Sequence, residues 1–117
     1  MTIAIDTNIL VRLLVEDDPE QLKLAHQLIK RHDEQGAVFI SAIVLLELYW
    51  VLQKYYQWSD ENICDALEDI IRARQFYIEN ALAVKTAISR CRKNEAFSDA
   101  LIGQIGASRN LKTYKMH

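Results

Sequence analysis

Little in this sequence breaks or cross-links the chain. One Pro and three Gly in 117 residues leave little room for long loops, so regular elements are expected to follow one another closely. Cys64 and Cys91 form no CxxC pair and have no histidine nearby. That excludes a disulfide scaffold or a zinc ribbon and predicts buried, reduced thiols, as in a cytoplasmic protein. No apolar run is long enough to span a bilayer, so no membrane helix is expected. The start lacks the basic region and apolar core of a signal peptide, and Met1 is expected to be the mature start. His26 and His32 stand six apart on different helix faces, a poor metal pair, and read as surface or rim residues. There is no GxSxG, no phosphate-cradling glycine loop and no activated cysteine.

What is present is half hydrophobic by composition, and residues 1–117 make one domain with a single core. The charge is uneven. Residues 1–84 hold 7 Lys or Arg against 14 Asp or Glu, whereas residues 85–117 hold 7 against 2. The basic end is either a surface that meets phosphates or a solvated helix face with a charged tail.

The chain opens on Ile3-Ala4-Ile5, a β-branched run with no helical period that reads as a strand buried on both faces. It ends on Asp6, ahead of Thr7, Asn8 and the helical stretch Ile9–Val15. An acid at the carboxyl end of a buried strand lies where open α/β sheets bind ligands. Asp18-Pro19-Glu20-Gln21 predicts a helix start, with Asp18 as cap, Pro19 at the first position and Gln21 closing a capping box. That helix is expected to stop at Gly36.

Residues 37–40 predict a second strand, ending in Ser41. A strongly apolar helix, Ala42 to Leu52, carries one charge, Glu47. Glu47 projects from an apolar face, where a lone carboxylate is costly. It therefore either pairs with an Arg or backbone N–H groups, or faces a cleft and binds a cation. Ser59 caps the next helix, whose inner face is Ile63, Leu67, Ile70 and Ile71 and whose acids read as a solvated face. Phe76-Tyr77-Ile78 is a third strand, and Asn80 is expected to cap the helix after it. The last helix starts near Phe97, with Ser98 as candidate cap. Asp99 there is either a dipole-favoured first-turn acid or a site residue. Gly103 and Gly106 suggest close packing inside that helix, and Leu111–Lys115 a short edge strand. Tyr49, Trp50, Tyr55, Tyr56 and Trp58 crowd one helix end, as a core plug or as a partner surface.

Strands alternating with helices imply parallel pairing, so all strand ends point one way. Asp6, Glu47 and Asp99 can then meet at one rim. Clustered carboxylates repel, and a hard divalent cation relieves this; oxygen-only ligands favour Mg²⁺ or Mn²⁺. Such a site can hydrolyse a phosphodiester.

The segments I-A-I-D-T-N-I-L, S-A-I-V-L-L-E-L and F-S-D-A-L-I together resemble a PIN domain, and more closely the toxin of a VapBC-type toxin–antitoxin pair. The resemblance implies a three-layer α/β/α sandwich on a short, mostly parallel sheet of four to five strands. It implies a Mg²⁺- or Mn²⁺-dependent ribonuclease, a homodimer, and an antitoxin partner. Asp6, Glu47 and Asp99 would be the catalytic, metal-holding acids, with Asn8 and Ser41 as polar neighbours. Water activated by the metal would leave a 5′-phosphate and a 3′-hydroxyl. One departure stands out. The family carries a fourth acid in a late stretch like T-F-D, where this chain has Thr113-Tyr114-Lys115, so its C-terminal end is shortened or altered. The alternative reading is therefore a weakened or inactive PIN-like binding module that pairs with an antitoxin or with itself.

Overall fold

A computed structural model describes residues 2–114. Its three strands are short: β1 is Ile3–Ala4, β2 is Val38–Ile40 and β3 is Phe76–Ile78. They pair in parallel in the order β1-β2-β3, with Ile3 beside Val38, Val38 beside Phe76, and Ile40 beside Ile78. Six helices connect and cover them: α1 Thr7–Val15, α2 Pro19–Arg31, α3 Ala42–Trp50, α4 Asp60–Arg72, α5 Ala81–Cys91 and α6 Phe97–Ser108. Beyond α3 a π-helical turn, Val51–Tyr55, carries the chain on, marked by the Tyr56 N–H donating to Val51 O five residues back. None of these helices is long and apolar enough to cross a membrane.

The core follows from the periodic residues. Val38 and Ile40 are fully buried from the sheet, Leu45, Leu48 and Leu52 from α3 and its extension, and Leu101 from α6. The Tyr49 and Phe97 rings meet at 5.6 Å. Helix α3 packs against both α1 and α6, and α5 packs along α6.

Several expectations are corrected. The sheet has three strands among the described residues, not four to five, and 111–114 form no strand. Lys115 lies outside the described residues. Burial on both faces of the strands also fails. Ala4, Phe39 and Tyr77 pair across one row, where Ala4 is exposed, Phe39 half-buried and Tyr77 60 % exposed. The Phe39 and Tyr77 rings, 5.9 Å apart, shield each other instead.

Helix α2 ends at Arg31 rather than at Gly36, with the His32 N–H closing onto Ile29 O. Gly36 serves the later turn into β2, at φ +68° where a side chain is strained. Asn80 sits in the left-handed region with no capping hydrogen bond, and Ala96, not Ser98, precedes α6. Gly103 faces open space. Gly106 has the expected close contact, but with the chain's own return: an added Cβ would stand 2.6 Å from Thr113 Oγ1.

Candidate active site at the carboxyl rim of the sheet

The same end of each parallel strand leads into a polar residue: Asp6 shortly after β1, Ser41 after β2, Glu79 after β3. Asp6 is exposed and caps α1, its Oδ1 accepting the Ile9 N–H at 3.2 Å. Thr7 behind it is buried, and Asn8 is exposed in the first turn. Ser41 caps α3, its Oγ accepting the Val44 N–H at 3.2 Å. That leaves the Ser41 hydroxyl hydrogen free to be donated.

Glu47 stands in the second turn of α3. It is exposed, not buried on an apolar face as its neighbours in sequence suggested. The long apolar stretch tightly packs Leu45, Leu48 and Tyr49, while Ile43, Glu47 and Trp50 turn outward. Among the described residues Glu47 has neither an Arg partner nor a backbone N–H donor. Asp99 lies half-buried in the first turn of α6, likewise without an ion-pair partner there. The three acids thus lie at the start of α1, on α3 and on α6, and α3 touches both of the other helices.

They do not form a ready cage. Among the described residues no three His, Cys, Asp or Glu side chains converge as metal ligands. The donor chemistry nevertheless suits a hard cation: every candidate is a carboxylate, amide or hydroxyl oxygen, and among the described residues no Lys or Arg pairs with Glu47 or Asp99. Mg²⁺ is ordinarily held by one or two carboxylates, keeping waters and substrate phosphate for the rest of its shell. Two hollows of about 540 and 570 Å³ lie between α4 and α5 and between α5 and α6, and neither is lined by these acids.

Other sequence candidates resolve differently. The α4 acids are not simply solvated. Arg92 of α5's end donates to Asp65 at 2.7 Å and to Glu68 at 3.0 Å, and Asp60 accepts the Tyr49 hydroxyl at 3.1 Å. Arg90 pairs with Glu95 at 3.4 Å. The basic run is thereby partly spent in holding helices together. Both cysteines are buried and free, as expected. Burial pushes the Cys91 thiol up to about 12, which removes it as a nucleophile at neutral pH. His26 is exposed, and half-buried His32 places Nδ1 2.9 Å from Leu28 O. The aromatic cluster divides. Tyr49 is core, Tyr56 and Trp58 are half-buried, and Trp50 and Tyr55 are 52 % and 79 % exposed.

Glu79 was missed in the sequence. Its N–H donates to Ile40 O at 3.0 Å, and its Oε1 accepts the Ala42 N–H at 2.9 Å. The signal was there: Phe76-Tyr77-Ile78-Glu79 repeats the apolar-run-then-acid pattern of Ile3-Ala4-Ile5-Asp6.

Residues 3–113 match the family model of the PIN domain. No curated protein and no solved structure matches the chain.

Proposed function

The chain belongs to the PIN-domain family, generally a nuclease fold that uses divalent metal ions, and from that premise we propose that it is a Mg²⁺- or Mn²⁺-dependent endoribonuclease. We place it as the cytoplasmic toxin of a toxin–antitoxin pair, a homodimer held in check by its antitoxin. The observation that carries the reading is the set of three acids, Asp6 at the start of α1, Glu47 on α3 and Asp99 on α6, with α3 touching both other helices and with Glu47 and Asp99 free of cationic partners among the described residues.

In this reading Asp6 and Glu47 hold the cation, and Asp99 completes the acidic set. A bound Mg²⁺ or Mn²⁺ would make water nucleophilic at neutral pH and offset charge on the phosphate. The Ser41 hydroxyl, one lone pair of which accepts the Val44 N–H, donates its hydrogen to a phosphate oxygen. The exposed Asn8 amide orients the same group. Displacement of the 3′ oxygen leaves a 5′-phosphate and a 3′-hydroxyl. The test is cleavage of a single-stranded RNA at saturating Mn²⁺, with the ends identified. Cleavage that stops with EDTA and returns with Mn²⁺ is expected; no cleavage at any Mn²⁺ concentration sinks the reading.

A second reading, a weakened or inactive module that binds an antitoxin or itself, is favoured by one feature. Trp50 and Tyr55 both stand exposed, with Lys54 Nζ 5.7 Å from the Trp50 ring centre. Exposed Trp and Tyr are the residues that anchor protein interfaces. Tyr55→Ala then weakens self-association in sedimentation with Tm unchanged. An unchanged sedimentation profile removes this surface from a dimer.

A further inference from the structure

We propose that Glu79 is a positioning residue that fixes where Glu47 and Ser41 stand at the rim. The proposal rests on the metal-dependent nuclease reading and adds a residue to it.

The first four N–H groups of a helix have no partner inside it. In α3 two of these are met by side chains. Ser41 Oγ takes the Val44 N–H, but Ser41 is the helix's own cap and moves with it. Glu79 Oε1 takes the Ala42 N–H at 2.9 Å and arrives from another element, the junction of β3 and α5. The Glu79 backbone N–H meanwhile donates to Ile40 O at 3.0 Å. One residue therefore grips the chain on both sides of Ser41, at the last residue of β2 and the first of α3. A carboxylate also suits this place, because a helix N-terminus carries partial positive charge.

Glu47 follows Ala42 by five residues, about 7.5 Å along the axis. A tilt of the first turn of α3 moves Glu47 over the rim. It also turns the Ser41 hydroxyl. The second carboxylate oxygen of Glu79 has no hydrogen-bond partner among the described residues, so a direct ligand role for Glu79 is the rival explanation. Chemistry separates the two. Glutamine keeps the oxygen that accepts from Ala42 and loses the charge a ligand needs; alanine loses both.

The experiment compares wild type, Glu79→Gln, Glu79→Ala and Ser59→Ala. Ser59→Ala removes the α4 cap, whose Oγ accepts the Asn62 N–H at 3.1 Å, and controls for a general loss of stability. Mn²⁺ affinity is read by calorimetry, kcat and KM by RNA cleavage, and exchange of the Ala42 amide by NMR. Removing an outer-shell partner costs 10–100-fold in metal affinity or activity, so Glu79→Ala is expected to lose about tenfold in both Mn²⁺ affinity and kcat, with KM little changed. Its Ala42 amide should exchange faster. Glu79→Gln and Ser59→Ala should match wild type in all three. Glu79→Gln as damaged as Glu79→Ala overturns the proposal in favour of a ligand. Wild-type Mn²⁺ affinity or an equally protected Ala42 amide in Glu79→Ala overturns it outright. If Glu79→Ala fails to fold, a Glu79→Gln variant with lowered Mn²⁺ affinity or faster Ala42 exchange overturns it, and one that matches wild type supports it. A wild type that binds Mn²⁺ without cutting RNA defeats the ribonuclease reading alone, and Mn²⁺ affinity and amide exchange still decide Glu79.

Discussion

The proposed site asks two jobs of the Asp6 carboxylate. One oxygen accepts the Ile9 N–H and caps α1, while the exposed group stays available to a cation. The two roles come apart under substitution. Asn caps a helix about as well as Asp, whereas Ala at such a position costs about 1 kcal/mol. Asp6→Asn should therefore unfold within about 0.5 kcal/mol of wild type, and Asp6→Ala about 1 kcal/mol lower, measured by denaturant titration. Equal losses in both variants would mean that the cap is not what Asp6 contributes to stability. The place of Asp6 in the fold was legible because it needs only a strand end and a helix start. Glu47 was legible as a candidate but not in its setting. Its apolar neighbours in sequence pointed to burial, yet α3 turns only part of its surface inward. Glu79 carried the same local signal as Asp6, but its role depends on Ala42 and Ile40, contacts that form only once β2 and β3 pair.

At the scale of elements, helix starts were readable where the residue before the helix caps it with its own side chain. Asp18, Ser41 and Ser59 each accept the N–H three residues on. Asn80 and Ser98 failed because a cap also needs an extended backbone at that residue. Asn80 is left-handed, and Ser98 is already inside α6. The pins between elements were not readable either. Arg92 reaches Asp65 and Glu68 across 24 to 27 residues of sequence. The joint of α3, α4 and α5 also makes a pH prediction. Burial, with the charge of Asp60, raises Tyr49 from 10.0 to about 12, and burial raises Cys91 from 9.0 to about 12. The folded state holds both protons more tightly than the unfolded chain, so deprotonation favours unfolding. Their stabilisation is complete below pH 9 and is lost as the pH rises through 12. Urea midpoints should thus fall steadily above pH 9; a flat profile to pH 12 would contradict the burial of these groups.

Over the whole molecule, α3 joins the parts of the proposed site. It buries Ala42, Leu45, Leu48 and Tyr49, carries Glu47, and touches both α1, which Asp6 caps, and α6, which bears Asp99. The family was recoverable from three short motifs because each sits at a strand end or a helix start of one parallel sheet. The strand count was not, because the last segment, 111–114, turns back on Gly106 instead of extending. The uneven charge of the sequence is partly spent inside the fold, since Arg90 and Arg92 are paired with acids from α4 and from the turn before α6. In the proposed function, oxygen ligands led by Asp6 bind a hard cation and this binding powers RNA cleavage. Calorimetric titration of Mn²⁺ into wild type and Asp6→Asn, with RNA cleavage on the same samples, tests it most directly. Mn²⁺ binding and cleavage in the wild type, both lost in a folded Asp6→Asn protein, is the predicted result. Mn²⁺ affinity and cleavage that survive unchanged in Asp6→Asn would contradict it.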